Sequence, residues 1–312
     1  MKIKTYAIVV LLALFLPSLA YGQVDVHATD SQIIVYVNGK LFTALQKGLD
    51  ANKPYLWPLN TASGKRVVRS FPMESIPGEP TDHPHQRGVW MGSEHVSGLK
   101  IWEIDPADPA RHMGTIQFKN VVETHSGEKS GGFTVTAQWI DQDGKPMIDE
   151  TLTVTVCAEP TNNRMMDITM SLKDLKLATF EDARDGIIGI RLAPPFDEKN
   201  GGEAVNAQGL RGANHVEGSH SEWVDWQGTL DGERVGVAVM SHPSNLHSPT
   251  TWRAVGFGIL FANPFARRFY DRSLPDGSVG LQPGDELHFR YRYLIHPASA
   301  DIAAAYQEFA HQ

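Results

Sequence analysis

Alternation with period two governs this sequence. Residues 33–37 (Ile-Ile-Val-Tyr-Val) run into Asn38-Gly39 and then into residues 40–45. An Asn-Gly pair between apolar runs signals a hairpin, because both residues accept the positive φ of a type I′ turn. Residues 133–140, the turn Asp141-Gln142-Asp143-Gly144 and residues 147–156 read as a second hairpin. Residues 164–172 alternate Met166, Ile168, Met170 and Leu172 with polar neighbours. Residues 235–240, 252–261 and 286–295 continue the pattern, the last with Leu287, Phe289, Tyr291 and Tyr293 on one face. Side chains two apart share a face of a strand, so each run can bury one face and wet the other. One helix is expected, near the C-terminus, with Ser299 as its cap and Ile302, Ala305, Tyr306 and Phe309 as its apolar stripe. Many strands and one short C-terminal helix indicate an all-β fold class, a large β-sandwich or a related barrel. Segments 70–82 and 193–220 are long and rich in Gly, Pro and polar residues, as loops that carry function often are.

The N-terminus reads as an export signal. Lys2 and Lys4 precede a nearly unbroken apolar run over 6–19, and Ala20-Tyr21-Gly22 places small residues at −3 and −1 of a cleavage site. The run is shorter than the roughly 20 residues that span a bilayer, and no cysteine follows it to carry a lipid. A signal peptide over 1–22 therefore leaves 23–312 as a single β-sandwich domain, periplasmic or secreted, without a membrane span. The net charge of −8 becomes more negative when Lys2 and Lys4 leave, which argues against nucleic acid as a partner. The lone cysteine, Cys157, has no internal disulfide partner. In a run with Leu152, Val154 and Val156 it reads as a small buried hydrophobe.

The densest chemistry is Asp82-His83-Pro84-His85-Gln86-Arg87-Gly88, followed by Trp90, Glu94, His95 and Trp102. Two histidines at i and i+2 of an extended segment point the same way and can share one pocket. Imidazole shuttles protons near neutral pH or binds a metal. Arg87 can fork onto a carboxylate or a polarised oxygen, and the tryptophans offer flat apolar faces to a sugar ring. A second cluster is His242-Pro243-Ser244-Asn245, then Trp252 and Asn263-Pro264. A third candidate is Arg191, a charge inside the apolar run Gly189-Ile190-Arg191-Leu192, to be either edge-exposed or paired within a pocket. No His-Glu-x-x-His motif, P-loop, nucleophile elbow or dinucleotide fingerprint occurs. His83, His85 and His95 have the ligand types for a divalent metal, but their spacing does not favour one, and no cofactor is assigned.

Several stretches together resemble a bacterial family labelled "methane oxygenase PmoA-like". They are Lys53-Pro54-Tyr55-Leu56-Trp57-Pro58-Leu59, Asp82-His83-Pro84-His85-Gln86-Arg87-Gly88-Val89-Trp90, Gly186-Ile187-Ile188-Gly189-Ile190-Arg191-Leu192 and His242-Pro243-Ser244-Asn245. Pro249-Thr250-Thr251-Trp252, Phe261-Ala262-Asn263-Pro264-Phe265 and Arg290-Tyr291-Arg292-Tyr293 complete the series, in order over nearly the whole chain after residue 22. Where the family commonly has a second adjacent His, this chain has Gln86. Where it often has Asn-Gly-Val-Asp-Phe-Trp, this chain has Ser97-Gly98-Leu99-Lys100-Ile101-Trp102. The resemblance implies a galactose-mutarotase-like β-supersandwich with a sugar groove on one sheet. The oxygenase label itself implies an integral membrane protein, which a chain without a spanning segment is not.

The expected function is that of an exported carbohydrate-active protein, an epimerase, lyase or hydrolase acting on a sugar or oxidised glycoside. His83 and His85 are its proton-transfer or metal-binding groups, Arg87 steadies an anionic or polarised oxygen, and Glu94 or Asp82 supplies the carboxylate. Trp90, His95, Trp102, Trp252 and Asn263 would contact substrate, with Arg191, His242 and Asn245 on the opposite wall. The alternative is a non-catalytic carbohydrate-binding module using the same groove.

Overall fold

The computed structural model describes residues 22–103, 113–158 and 162–312. Residues 1–21 of the expected signal peptide lie outside the described residues.

The alternating runs pair into two large antiparallel sheets. The first runs Thr251–Val255, Ile259–Asn263, Gly186–Arg191, Val89–Ser93, Tyr55–Leu59, Lys40–Gln46, Gln32–Val37, Gln23–Ala28 and Gly127–Glu128. The second runs Glu203–Asn206, Trp223–Leu230, Glu233–Ser241, Glu286–Pro297, Arg164–Asp174, Pro146–Cys157, Ser130–Ile140 and Thr115–His125. Their facing sides interdigitate: Val35, Leu56, Val89 and Ile188 meet Val154, Ile168, Val237 and Tyr291 in one core. This is the all-β sandwich that the alternation implies. Among the described residues no helix is long and apolar enough to cross a membrane.

The C-terminal helix spans Ile302–Ala310 and packs on the outside of the second sheet, with Ile302, Tyr306 and Phe309 against Ala238, Met240 and Leu294. Its cap is Asp301, whose carboxylate accepts from the Ala304 N–H, rather than the expected Ser299. Phe309 is 1% exposed, and burying a ring of that size contributes roughly 1.5–3 kcal/mol to holding the helix on the sheet.

Three further expectations need correction. The run 252–261 is two strands, Thr251–Val255 and Ile259–Asn263, because Gly258 at φ 85 turns the chain. Cys157 is half-buried rather than buried: Leu152, Val154 and Val156 take the inner face, and Cys157, one position out of their period, falls on the outer one. Segment 193–220 carries two 3-10 turns, the strand Glu203–Asn206 and the helix Ala213–Val216.

Not every strand alternates: Glu233–Ser241, expected to alternate over 235–240, is buried from Val235 to Ser241, because the C-terminal helix covers its outer face at Ala238 and Met240. Val89–Ser93, Gly186–Arg191 and Ile259–Asn263 are buried at every position. Something covers their outer face as well, and that cover is the candidate site.

Candidate active site

The floor of the site is a row of cross-strand neighbours. Tyr55 pairs with Trp90, Trp90 with Gly189, Gly189 with Phe261, and Phe261 with Arg253, each on the next strand. All five share the outer face of the first sheet, because Val89, Ile188, Ile190 and Leu260 of the same strands point into the core. Gly189 makes the row possible. A Cβ there would lie 2.6 Å from Phe261 Cε1 and 3.0 Å from Trp90 Cζ2. Without it the two rings meet edge to face with centroids 5.5 Å apart. Trp102 then stacks over Trp90 at 6.2 Å and 7°. Gly92 admits this second layer, since a Cβ on it would lie 2.6 Å from Trp102 Cβ.

The histidine loop is pinned to this floor by buried basic side chains. Lys53, 1% exposed, donates to the His85 carbonyl at 2.9 Å and to the Trp102 carbonyl, joining the two segments. Arg69, also 1% exposed, donates to the Asp82 and His83 carbonyls at 2.8 Å and to Asp82 Oδ1 at 3.1 Å. Arg191 donates to Gln86 Oε1 at 2.7 Å, lies 3.5 Å from Asp82 Oδ1, and has Phe257 across its guanidinium at 4.2 Å. Burial lowers the Arg191 pKa to about 10, and the like charge of Arg69 adds to the effect. Burial would raise the Asp82 carboxyl, but the His83 hydrogen bond and the Arg191 and Arg69 charges outweigh it and hold its pKa low. Asp82 is therefore an anion, and its Oδ2 pairs with His83 Nδ1.

This contact fixes the His83 tautomer. With Nδ1 engaged on a carboxylate, Nε2 is the nitrogen left to exchange a proton. His83 adopts φ 46, a left-handed conformation costly for a residue with a Cβ and frequent at functional sites. The segment is thus a turn, closed by Gln86 N–H to the His83 carbonyl at 3.0 Å, and not the extended segment expected. The rings of His83 and His85 still converge, edge to face at 5.7 Å, and His85 packs against Trp102 at 4.8 Å.

The opposite wall carries carboxylates and guanidinia. The Glu94 N–H donates to the Asp185 carbonyl at 2.8 Å, and the Asp185 N–H donates to Glu94 Oε2 at 3.2 Å. Asp185, 2% exposed, is ion-paired with Arg253 and with Arg184 at 3.1 Å. Burial raises its pKa; Arg253 and Arg184 oppose that rise, and Glu94 adds to it. Arg253 also reaches Glu217, which accepts from the Tyr270 hydroxyl at 2.7 Å. Asn263 holds the segment from behind, donating to the Ala183 carbonyl at 2.8 Å and the Arg184 carbonyl at 3.0 Å.

Between these walls lies a cavity of about 90 Å³, lined by His83, His85, Gln86, Glu94, Trp102 and Asp185, with Lys100, Glu103, Arg184, Arg253, Phe257 and Phe261 around them. Of the residues singled out in the sequence, His83, His85, Glu94 and Trp102 therefore meet here. Asp82 and Arg191 stand behind the histidines, Trp90 beneath, and Asn263 behind the carboxylates. The remainder lie elsewhere. Arg87 turns from the cavity to Asp50 at 2.7 Å and Tyr55 at 3.3 Å, so its charge is already used. His95 is outside the lining, and its carbonyl accepts from Glu181 N–H. Trp252 is in the core, donating to the Ser221 carbonyl. His242 and Asn245 do not form the opposite wall: His242 packs on Phe309 and meets Arg290, and Asn245 ties its turn to Arg290.

The sequence motifs do not single out Asp185, Arg184, Arg253, Lys53 or Arg69 as site residues. A signal for Asp185 exists in Asp182-Ala183-Arg184-Asp185, a charged run entering the apolar strand Gly186–Arg191. Among the described residues no three His, Cys, Asp or Glu side chains are grouped to hold a metal ion. The donor set is suited instead to proton transfer, with an imidazole and a carboxylate facing one space.

The model of a family of unknown function, DUF6807, matches residues 24–310. The chain belongs to that family. The oxygenase-like label finds no support from this match. No curated protein matches this DUF6807 member in sequence. Solved structures with a similar chain trace include a GalM/aldose epimerase homologue from C. elegans, at 11% identity and a TM-score of 0.36 over 88% of this chain and 99% of that one. A galactose 1-epimerase from Lactobacillus acidophilus NCFM follows at 10% identity and 0.35, over 89% and 99%. An α-galactosidase from Lactobacillus brevis gives 11% and 0.41 over 88% of this chain, which spans only 39% of that enzyme.

Proposed function

We propose that this DUF6807 protein is an exported enzyme that performs acid–base chemistry on a carbohydrate, as an epimerase, lyase or hydrolase. The observation that carries the reading is the Asp82–His83 dyad facing Glu94 and Asp185 across an aromatic-floored cavity. Each of the three reactions needs one group to take a proton and another to give one, on either side of the reacting atom. His83, oriented by Asp82, takes the first role at Nε2. Glu94 exchanges the proton on the other side, with Asp185 behind it. Asp185 is anchored by two arginines, so it positions Glu94 rather than leaving its own site. Trp102 and Phe257 give apolar faces for the C–H side of a sugar ring, and the ionic wall meets its hydroxyls. Export accords with the N-terminal sequence and requires no nucleotide or nicotinamide supply.

The test is turnover of a panel of oxidised and unoxidised glycosides by the wild type and by His83→Ala, with glycan binding measured on both. Loss of product in the variant with binding retained is the expected result. Unchanged turnover in His83→Ala overturns the assignment. Binding by both proteins with no product from either would make the protein a binding module.

A further inference from the structure

The cavity is small for the ligand it is asked to hold. Its volume is only about 90 Å³. A hexose has about a dozen heavy atoms, and sites that engulf a ligand of drug size run to roughly 300–1,000 Å³. The cavity therefore takes the reacting edge of one ring, and the remainder must rest on the surface outside it.

Beside it lies an open groove of about 850 Å³, lined by Glu181, Asp182, Arg268, Phe269, Arg272, Asp276 and Ser278. Segment 181–185 is the ridge between the two: Glu181 and Asp182 line the groove, Arg184 and Asp185 line the cavity. The groove's far wall is built rigidly onto this ridge. Asp182 accepts from the backbone N–H groups of Arg267, Arg268, Phe269 and Gly277 at 2.7–3.1 Å. Tyr270 of the same loop joins the cavity's ion network through Glu217 and Arg253. Phe269 stacks edge to face on Tyr270 at 5.0 Å and is 51% exposed. It is thus a preorganised aromatic face directed at solvent, flanked by Arg272 and by Arg268, whose Nε donates to the Leu274 carbonyl at 3.4 Å and whose Nη1 lies 3.8 Å from Asp276, leaving Nη2. The acids around it are engaged: Asp182 as above, Glu181 with Gly98 N–H at 2.6 Å, and Asp276 with Ser278 N–H at 2.8 Å.

We infer that this groove is a second sugar subsite, so that the substrate is an oligosaccharide rather than a monosaccharide. The ring beyond the reacting one stacks on Phe269 and receives hydrogen bonds from Arg268 and Arg272. This rests on the carbohydrate reading of the cavity.

Calorimetric titration of the full-length mature protein with gluco-, galacto- and manno-oligosaccharides, from mono- to tetrasaccharide, tests it. Wild type should bind disaccharides and longer chains of one series more tightly than the monosaccharide. Phe269→Ala should erase that gain, by about tenfold, and leave the monosaccharide unaffected, with Phe269→Tyr restoring it. Phe269 is exposed, so the variant should fold; Arg272→Ala should give a smaller loss of the same kind. A length-dependent gain that survives Phe269→Ala overturns the subsite and spares the cavity reading. Binding of no sugar by the wild type overturns both.

Discussion

Glu94 and Asp185 are tied to each other twice, by the Glu94 N–H on the Asp185 carbonyl and by the Asp185 N–H on the Glu94 carboxylate. The chain segments beside two adjacent strands thereby present one carboxylate to the cavity while the other is locked between Arg184 and Arg253. Glu94→Gln separates the two roles. Its amide oxygen can still accept from the Asp185 N–H, so unfolding stability should change by less than about 1 kcal/mol. A proton-transfer group is lost, so turnover should fall by roughly 10²–10⁴. Parallel thermal melts and steady-state kinetics check both halves.

Asp82 acts through His83. In Asp82→Asn the amide can present N–H to Nδ1, favouring the tautomer with the proton on Nε2, where a base is needed. We expect kcat to fall by about 10²–10⁴ at neutral pH with little change in KM. A loss confined to KM would mean that Asp82 only binds substrate.

Part of this site was legible in the sequence because it is contiguous. Asp82 to Gln86 announces itself by density, and the structure brings both histidines to the cavity. The other wall was not legible. Arg253 stands with Phe261 and Gly189 only through the register of three strands, and one strand's sequence does not state its partner's register. The arginine of the motif misled for a related reason: Arg87 is answered by Asp50, 37 positions away, on a loop with no marked pattern. The sandwich was legible from clean alternation in strands such as Arg164–Asp174. The strands under the site, such as Gly-Ile-Ile-Gly-Ile-Arg, lack alternation because both their faces are covered.

His242 should prove dispensable for chemistry. Its ring contacts Ser244, Arg290 and Phe309, on the side of the C-terminal helix. His242→Ala is expected to cost about 0.5–1.5 kcal/mol of stability and to leave kcat/KM within about twofold of wild type. Kinetics at a temperature well below the variant's Tm check this, and a large loss of kcat would return His242 to the site.

Gly189 should tolerate no side chain. In Gly189→Ala the Cβ would press on Phe261, itself 2% exposed and held by Trp90 and Trp102. Overpacking of this kind costs about 1–3 kcal/mol. The displaced rings should also change the near-ultraviolet circular dichroism of the tryptophans and weaken ligand binding. An unaltered spectrum would show that the floor can yield.

Glu150 makes stability depend on pH in a direction opposite to that of an ion-paired carboxylate. It is 2% exposed, and it accepts a hydrogen bond from the Trp139 indole N–H at 2.6 Å. Burial lifts its pKa from 4.5 to about 7, against the pull of that hydrogen bond. The folded state then holds a proton that the unfolded state has released, so stability falls as pH rises from about 4.5 to about 7 and is flat above. At 1.36 kcal/mol per unit, the loss across the window is roughly 3 kcal/mol. Glu150→Gln keeps an acceptor for Trp139 and removes the titration. Its denaturation free energy should therefore lose this slope, and at pH 8 the variant should exceed wild type by about 2–3 kcal/mol. Urea titrations of both proteins at pH 5 and pH 8 measure the difference, and parallel pH profiles for the two would mean that Glu150 does not titrate in this window.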